Sequence, residues 1–460
     1  MTGISAKEPE QITKKESRQK VMQIAWPVLL ELLLGSLFGM VDMMMLGNIK
    51  PTSLSAASIA SVGIANQPLF IGLSLVQSFN VGGTAIIARY YGMGRLKRLG
   101  NVFKHVLLLS IIIIIVPLFI LTMTQAEGIM RILGAGEDVV ATGNTYFRIV
   151  HVGFIFQALT MCGSSALRGV GETKAPMKIN LLTNGLNVLG NATLIYGLFG
   201  FPALGLVGAG ISTALSQVMA FILIFIHFIR GKSKVSIKEK FTFEMKTVKN
   251  LIRIGLPASL EQLALRLGIF FFVRIVASLG TVVYAAHQIA LSILSLSFNP
   301  GQAFGIAAST LVGRSLGEKK PEHAEMYSKS ARQMGSIIST FVAIMFFFFG
   351  RQIVGLYTND VQIIENASVA LKIIALVQPF QSSQLILSGA LRGAGDTVWP
   401  LIATIIGVLL IRTQVALFLV NQIEIGLAGA WLAVLTDQLI RWALVFFRFR
   451  TGKWKKVRIR

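Results

Sequence analysis

The chain has 460 residues, of which 54% are hydrophobic and 14% are charged. In soluble domains about a quarter of all residues are charged. The composition therefore excludes a soluble enzyme with one membrane anchor and predicts an integral membrane protein. The formal net charge is +23, which in a soluble protein would suggest a nucleic-acid partner, so the placement of the charges decides their meaning.

Apolar blocks follow one another along the whole chain, each near the ~20 residues that a helix needs to cross the hydrocarbon core. They predict an all-α integral membrane protein with twelve transmembrane helices, at 21–46, 55–88, 103–124, 139–167, 176–198, 204–229, 254–279, 282–312, 329–349, 363–389, 398–420 and 425–447. The predicted units are a cytoplasmic N-terminal tail (1–20), a six-helix bundle (21–229), a basic cytoplasmic linker (230–253), a second six-helix bundle (254–447) and a basic cytoplasmic tail (448–460).

Lys and Arg are concentrated in alternate loops, which is the positive-inside pattern of membrane proteins. The basic segments are 1–20, 89–104, 168–178, 230–253, 314–329, Arg392 and 448–460, whereas the intervening loops hold Lys50, Arg131 and Arg351. This pattern predicts a multi-pass protein of the bacterial inner membrane with both termini in the cytoplasm. It also argues against a nucleic-acid partner.

The sequence repeats itself with an offset of 224 residues between its clearest copies. Because each half contains six predicted spans, an even number, the two halves share one orientation and form a parallel repeat about an axis along the membrane normal. Two bundles that face each other enclose a cleft. The repeated pairs are ALRGVGETKAPM from Ala166 and ALRGAGDTVWPL from Ala390, GLVGAG from Gly205 and GLAGAW from Gly426, and the spacings Pro27 to Glu31 and Pro257 to Glu261.

Several short motifs occur in a fixed order: Pro27 followed by Asp42, AASIA from Ala56, ARYYGMG from Ala88, the paired LRG-x-G-[ED]-T turns and GLVGAGIST. In this order and spacing the chain resembles the multidrug and toxic compound extrusion (MATE) family over residues 21–447. Within that family it is most similar to the bacterial NorM-like branch related to DNA-damage-inducible F proteins. The resemblance implies two six-helix bundles arranged in a V, and export of drugs or organic cations in exchange for protons or sodium ions.

An ionisable residue inside the hydrocarbon is costly and marks a functional-site hypothesis. Asp42 lies well along the first span and corresponds to the first-helix aspartate of the MATE family. Desolvation favours the neutral form of a carboxylic acid, so we expect Asp42 to bind a proton and to couple ion flow to export. The alternative is a structural aspartate that caps the helix end beside Gly47.

Four asparagines share one face of the fifth span, at spacings of four, three and four. They are Asn180, Asn184, Asn187 and Asn191. We expect this face, together with Thr213, to bond Asp42 or to coordinate a cation; the alternative is hydrogen bonding between helices. The MATE family often has a second aspartate at the position of Asn191, and its replacement here favours a proton over a sodium ion.

Candidates for a substrate cleft are polar or flexible side chains inside the spans. They are Glu31, Met40, Met43, Gln157, Glu261 and Gln288. Glu31 and Glu261 lie one turn past the repeated prolines, where they either attract cationic substrates or pair with a nearby Lys or Arg. Asp437 lies mid-span in the twelfth helix and is expected to form a structural ion pair with Arg412 of the eleventh helix or with Arg441 one turn on.

These observations predict a secondary active multidrug exporter that antiports organic, cationic or amphipathic compounds against inward H⁺ or, less favoured, Na⁺. The alternative is a flippase for lipid-linked oligosaccharide, and a remoter one is an intramembrane enzyme. The sequence contains no G-x-x-x-x-G-K-[ST] or H-E-x-x-H motif and a single cysteine, Cys162, so we expect neither ATP-driven pumping nor a metal site nor a cofactor. The expected partners are small-molecule drugs and the lipid bilayer, and the chain is expected to be monomeric.

Overall fold

The computed structural model describes residues 12–49, 52–231 and 233–457. Within those ranges the chain is almost entirely helical and contains no β-strand, which confirms the all-α fold class. Parts of the predicted tails and linker lie outside the described residues, namely 1–11, 232 and 458–460, and so does Lys50.

Twelve long helices, numbered in chain order, make up most of the described chain. Helix α3 contains a π-helical turn at Ile111–Ile115, and α11 contains one at Ile405–Arg412. The helices are α1 (Lys14–Gly47), α2 (Thr52–Gly92), α3 (Leu96–Thr124), α4 (Glu137–Gly169), α5 (Lys174–Tyr196), α6 (Gly205–Ile229), α7 (Met245–Ala277), α8 (Thr281–Gly317), α9 (Pro321–Gly355), α10 (Val361–Ala394), α11 (Val398–Asn421) and α12 (Gly426–Arg450).

Ten of the described helices are long and apolar enough to cross a membrane, and the two other long helices are α5 and α7. Helix α5 has 23 residues, about 34 Å, which matches a hydrocarbon core of about 30 Å. Its row of asparagines lowers its hydropathy, while α7 contains Glu261, Arg266 and Arg274. Both exceptions therefore arise from polar residues inside helices of spanning length.

At one end of the molecule, helices run beyond the predicted spans. We call this end, which carries segments 89–104, 168–178 and 314–329, the basic end. Helix α1 begins at Lys14 because Thr13 and Glu16 form a capping box, in which each side chain accepts from the other residue's backbone N–H. Helix α7 already begins at Met245. Residues from Lys14 onward in the predicted tail and from Met245 onward in the predicted linker are thus helical.

The two halves of the chain pack their helices in the same pattern. In the first half α1 packs against α5, α2 against α4, α4 against α6, and α5 against α6. In the second half the corresponding contacts join α7 to α11, α8 to α10, α10 to α12, and α11 to α12. Because each contact recurs six helices later, the repeated segments of the sequence fold into equivalent units.

The two halves meet at the basic end, through α1 and α2 of the first half and α7, α8 and α9 of the second. A buried apolar cluster there joins Val21 and Ala25 of α1 to Ala308 and Leu391 of the second half. Near the opposite end, the buried cluster around Trp431 is built from residues of the second half alone. The halves therefore share a core at the basic end and have separate cores at the other, which gives a V shape.

Two glycines at equivalent places in the repeat permit the closest approach between the halves. A Cβ atom on Gly92 of α2 would lie 2.0 Å from the carbonyl oxygen of Arg314. A Cβ atom on Gly317 of α8 would lie 2.2 Å from the carbonyl oxygen of Arg89. Since real side chains cannot approach a backbone oxygen so closely, both positions require glycine for this packing.

Candidate functional site

The carboxylate of Asp42 lies between α1 and the asparagine face of α5. Asn191 Nδ2 donates to Asp42 Oδ1 at 2.8 Å, and Asp42 is half-buried while Asn191 is buried. One turn further along, Tyr196 donates from its hydroxyl to the backbone carbonyl of Met45 at 2.6 Å. These two contacts fix the end of α1 against α5, so that Asp42 faces amides.

The amide of Asn187 gives Asp42 a second set of partners. With Nδ2 towards Asp42, it donates to the two carboxylate oxygens at 3.0 and 3.2 Å, and Oδ1 accepts from the backbone N–H of Thr213 at 3.2 Å. This orientation suits an ionised carboxylate, which can only accept hydrogen bonds. With the amide turned by half a rotation, Nδ2 instead faces the hydroxyls of Thr213 at 3.3 Å and Ser212 at 3.4 Å.

Small residues bring α6 close enough to α5 for these contacts. Ser212 of α6 packs so tightly against Gly190 that a Cβ on that glycine would lie 2.4 Å from the serine hydroxyl. The same hydroxyl donates to the backbone carbonyl of Asn187 at 2.9 Å. The GLVGAGIST segment thus places Ser212 and Thr213 beside the asparagine face, which explains why Thr213 belongs to the site.

Asn180 belongs to a different cluster, although we predicted it in the same coupling set as Asp42. Its Nδ2 donates to Glu31 Oε1 at 2.5 Å, and Glu31 also forms an ion pair with Arg168 at 2.7 Å. Glu31 and Asp42 are eleven positions apart, about 16 Å along α1, so one face of α5 serves two separate acids. Asn184 lies between the two clusters and is half-buried.

The second half contains a copy of the Glu31 cluster. Arg392 Nη2 donates to Glu261 Oε1 at 2.7 Å, and these residues are the repeat equivalents of Arg168 and Glu31. Among the described residues, Oε2 of each glutamate is buried without a hydrogen-bond partner. The sequence left two interpretations open for Glu31 and Glu261, attraction of cationic substrates or pairing with a nearby Lys or Arg. In the structure both glutamates are paired with an arginine.

The second half does not contain a copy of the Asp42 site. Counted from the repeated Pro27 and Pro257, Phe272 occupies the place of Asp42. The guanidinium of Arg412 lies over the Phe272 ring, 5.6 Å from its centroid. Trp431 in turn replaces Gly210 of the first half. An aromatic and cationic arrangement therefore stands where the first half has a carboxylate and amides.

Asp437 compensates the charge of this region. It accepts from Arg412 Nε and from Arg441 Nε, both at 2.7 Å, and its side chain is completely buried. Arg412 is the last residue of the π-helical turn in α11. One carboxylate thus holds two guanidinium groups inside the second half.

The other cleft candidates take no part in the hydrogen bonds of these clusters among the described residues. Met40 and Met43 are 38% and 41% exposed on α1, and Gln157 of α4 is half-buried. Gln288 is exposed and donates to the Tyr284 hydroxyl at 2.6 Å. No hydrogen bond or ion pair among the described residues joins these four side chains to Asp42 or to one another.

Sequence reasoning missed the two arginines that pair with Glu31 and Glu261, and it missed Ser212. Arg168 and Arg392 follow the same two residues in the repeated ALRG turns, just as Glu31 and Glu261 follow the repeated prolines. An acid and a base that recur at equivalent places in both halves indicate an ion pair within each half. Ser212 carries no comparable signal.

The twelve helices, their repeated packing and the polar site against α5 define a multi-pass membrane protein with the parallel repeat found among secondary transporters. The MatE family pattern matches residues 27–193 and 257–418. The chain belongs to this family, the multidrug and toxic compound extrusion transporters. It is accordingly a membrane transporter and not an enzyme.

Individual relatives agree with this assignment. The chain is 31% identical to the "Probable multidrug resistance protein NorM" of Thermotoga maritima, over 96% of this chain and 94% of that protein. It is 28% identical to the "Multidrug resistance protein NorM" of Vibrio cholerae, over 91% and 92%. It superposes with a TM-score of 0.88 and 25% identity on a structure described as the outward-facing conformation of a multidrug resistance MATE family transporter, covering 96% of this chain and 97% of that one. The NorM-named relatives support the predicted NorM-like branch.

Proposed function

We propose that this chain exports organic, cationic or amphipathic compounds from the cell in exchange for inward protons. Family membership and the names of its relatives, which describe multidrug resistance proteins, support the export of varied small molecules. The choice of the proton rests on the residues around Asp42.

The observation that carries this proposal is a single carboxylate surrounded by amides. Asp42 is bonded to Asn191 and faces Asn187, and the nearest other acid on α1, Glu31, is already paired with Arg168. A sodium ion that loses its water needs several oxygens and a negative charge, whereas a proton needs one carboxylate that can become neutral. A site with one acid therefore favours the proton, and sodium is the second candidate.

Asn187 provides a mechanism by which protonation of Asp42 changes the contacts between helices. An ionised Asp42 accepts from Asn187 Nδ2, but a protonated Asp42 donates, so the amide would turn its oxygen towards the acid. The hydroxyls of Thr213 and Ser212 then receive Nδ2. The bond between Asp42 and Asn187 thus reverses its direction and changes from a charge-assisted to a weaker neutral hydrogen bond, which loosens the contact of α1 with α5 and favours bending of α1 at Pro27 or near Gly35.

The orientation of the protein follows from the basic end. Positively charged loops remain in the cytoplasm, so we place the basic end and both termini there, in the inner membrane of a bacterium. The halves are in contact at this end, so the cleft opens towards the outside in this conformation. Proton binding to Asp42 from the outside and substrate release would take place in such a state.

Dye uptake into everted membrane vesicles, in which export from the cell runs into the lumen, tests the proposal directly. A proton gradient and a sodium gradient are imposed separately on vesicles that contain the wild type or Asp42→Asn, which replaces the titratable group by a near-isostere. We expect the proton gradient alone to drive transport by the wild type, and the variant to fall to the level of vesicles without the protein.

The exposed acid Asp138, at the first turn of α4, provides the matched control. Asp138→Asn makes the same chemical change outside the site, and we expect it to retain efflux. Normal amounts of folded Asp42→Asn in the membrane are required for the comparison. Transport that follows the sodium gradient and ignores the proton gradient would reverse the choice of ion.

A further inference from the structure

A cavity of about 290 Å³ lies at the basic end of the second half, where α9, α10 and α12 meet the C-terminal segment after Arg450. All of its lining residues belong to the second half, and none of them is a residue of the Asp42 site. Its lining combines basic side chains with an apolar floor. The residues are Glu325, Lys329, Arg332, Leu387, Phe446, Phe449, Arg450, Gly452 and Lys455.

The cavity has an excess of positive charge. Among the described residues, four basic side chains line the cavity and Glu325 is the one acid in its lining. Glu325 is bonded to Lys329 at 2.6 Å and to Lys455 at 2.5 Å, and Arg332 lies over the Phe446 ring, 5.4 Å from its centroid. Because one carboxylate compensates only one of the four cations, the lining attracts an anion.

The floor of the cavity is apolar and continuous with the helix core. Leu387 and Phe449 are buried, and Phe446 is half-buried beside them. An apolar floor below a cationic rim, at the level where helices leave the hydrocarbon, fits a ligand with an anionic head and an oily body. Basic pockets between transmembrane helices bind the headgroups of anionic lipids in this way.

The equivalent face of the first half is covered by the chain itself. In the repeat, Gly100 and Lys104 of α3 occupy the places of Glu325 and Lys329. A Cβ on Gly100 would lie 1.8 Å from the carbonyl oxygen of Ser236, and Lys104 donates to the carbonyl of Glu239. The linker between α6 and α7 thus supplies carbonyl oxygens to this face.

Further contacts hold the linker against the first half. Val235 is completely buried, Asn101 and Thr242 exchange two hydrogen bonds at 2.9 and 3.1 Å, and the Glu244 N–H donates to His105 at 2.9 Å. In the second half, the described segment Gly452–Val457 contacts the equivalent face through the buried Trp454 and through Lys455, which bonds Glu325, and the cavity lies beside it. Of the two equivalent faces, the one in the first half is therefore covered by the linker, and the one in the second half has a cavity with space and positive charge for a ligand.

We propose that this cavity binds the phosphate headgroup of an anionic phospholipid from the membrane leaflet at the basic end. Arg332 and Arg450 contact the phosphate, since Lys329 and Lys455 already share Glu325. The first methylenes of an acyl chain lie on Phe446 and Leu387. The bound lipid takes the place that the linker occupies in the first half.

Native mass spectrometry of the purified full-length protein in detergent tests this proposal. Dioleoyl phosphatidylglycerol and dioleoyl phosphatidylcholine, which share their acyl chains, are titrated separately, and the affinity of the first bound lipid is compared. We expect the wild type to prefer phosphatidylglycerol, and Arg332→Ala/Arg450→Ala to weaken its binding about tenfold with no effect on phosphatidylcholine. The single variant Arg450→Gln, at an exposed position, gives a smaller loss and serves if the double variant unfolds.

The control removes the same charge from the other half. Lys238 and Lys240 are exposed in the linker, and Lys238→Ala/Lys240→Ala should leave the affinity for phosphatidylglycerol unchanged. An equal loss in both double variants, or equal binding of the two lipids by the wild type, would overturn the proposal. So would tight binding of inorganic phosphate alone that requires Arg332 and Arg450, because it would assign the cavity to free phosphate.

Discussion

Asn191 donates to Asp42 at 2.8 Å, and the residues of this pair are 149 positions apart in the chain. Asn180 donates to Glu31 across the same separation of 149 positions. Helices α1 and α5 therefore run side by side in one register, and α5 binds α1 at two levels about 16 Å apart, with Glu31 nearer the basic end and Asp42 nearer the opposite end. Of these two acids, Asp42 lacks a cationic partner among the described residues.

Asn191→Asp is predicted to make transport responsive to sodium. The change places a second carboxylate within hydrogen-bond distance of Asp42, and two such acids cannot both ionise unless a cation lies between them. We expect an imposed sodium gradient to drive dye uptake by this variant into everted vesicles, where it does not drive uptake by the wild type.

Asn184→Asp is the matched control for that experiment. Asn184 lies on the same face of α5 but between the two clusters, so a carboxylate there should not create a sodium response. If both variants respond alike, added negative charge on α5 would be the cause and the pairing of Asp42 with residue 191 would not matter.

The membrane-spanning helices could be predicted from the sequence, but their ends at the basic end could not be placed. Hydropathy reports where a helix is in lipid, whereas α1 and α7 continue past the lipid as amphipathic helices. The start of α1 does have a local signal, the capping box of Thr13 and Glu16. The start of α7 at Met245 has none of that kind, since Glu244 forms no side-chain cap.

For the Asp42 site, the sequence predicts which face of α5 takes part. The spacing of the asparagines predicts the face of α5 that meets α1, but it does not give the register between the two helices. Asn180, which we expect to join Asp42, contacts Glu31 instead. The partner of Glu31 is Arg168, 137 positions away. Contacts at that separation depend on packing between helices, which the repeat indicates only once both halves are compared.

Asp437→Asn is predicted to destabilise the second half. The carboxylate is completely buried between Arg412 and Arg441, and its loss leaves two buried guanidinium groups without a counter-charge, at a cost of about 3–5 kcal/mol. Thermal unfolding in detergent measures this as a lower Tm. Glu137→Gln breaks the exposed pair with Arg131 and should leave Tm nearly unchanged, because solvent-exposed ion pairs contribute little to stability; similar Tm values for the two variants would contradict the prediction.

The two ends of the molecule are predicted to face opposite sides of the membrane. Lys238 lies in the linker at the basic end, and Gln422 lies in the exposed turn between α11 and α12. The native Cys162 is buried, so single cysteines at these two positions can be labelled selectively. A membrane-impermeant thiol reagent should reach Gln422→Cys in intact cells and Lys238→Cys only in everted vesicles. The reverse pattern would invert the proposed topology.

A disulfide across the basic end is predicted to stop transport reversibly. The hydroxyl of Ser17 donates to that of Ser330 at 2.8 Å, which places the two β-carbons near the spacing that a disulfide requires. Alternating access needs the two halves to separate at this end, so Ser17→Cys/Ser330→Cys should transport when reduced, lose efflux on oxidation and regain it with a reductant. Each single cysteine should be unaffected by the oxidant. Full transport by the oxidised, cross-linked protein would show that the contact between α1 and α9 stays closed throughout the cycle, and the opening would have to be sought elsewhere on the interface.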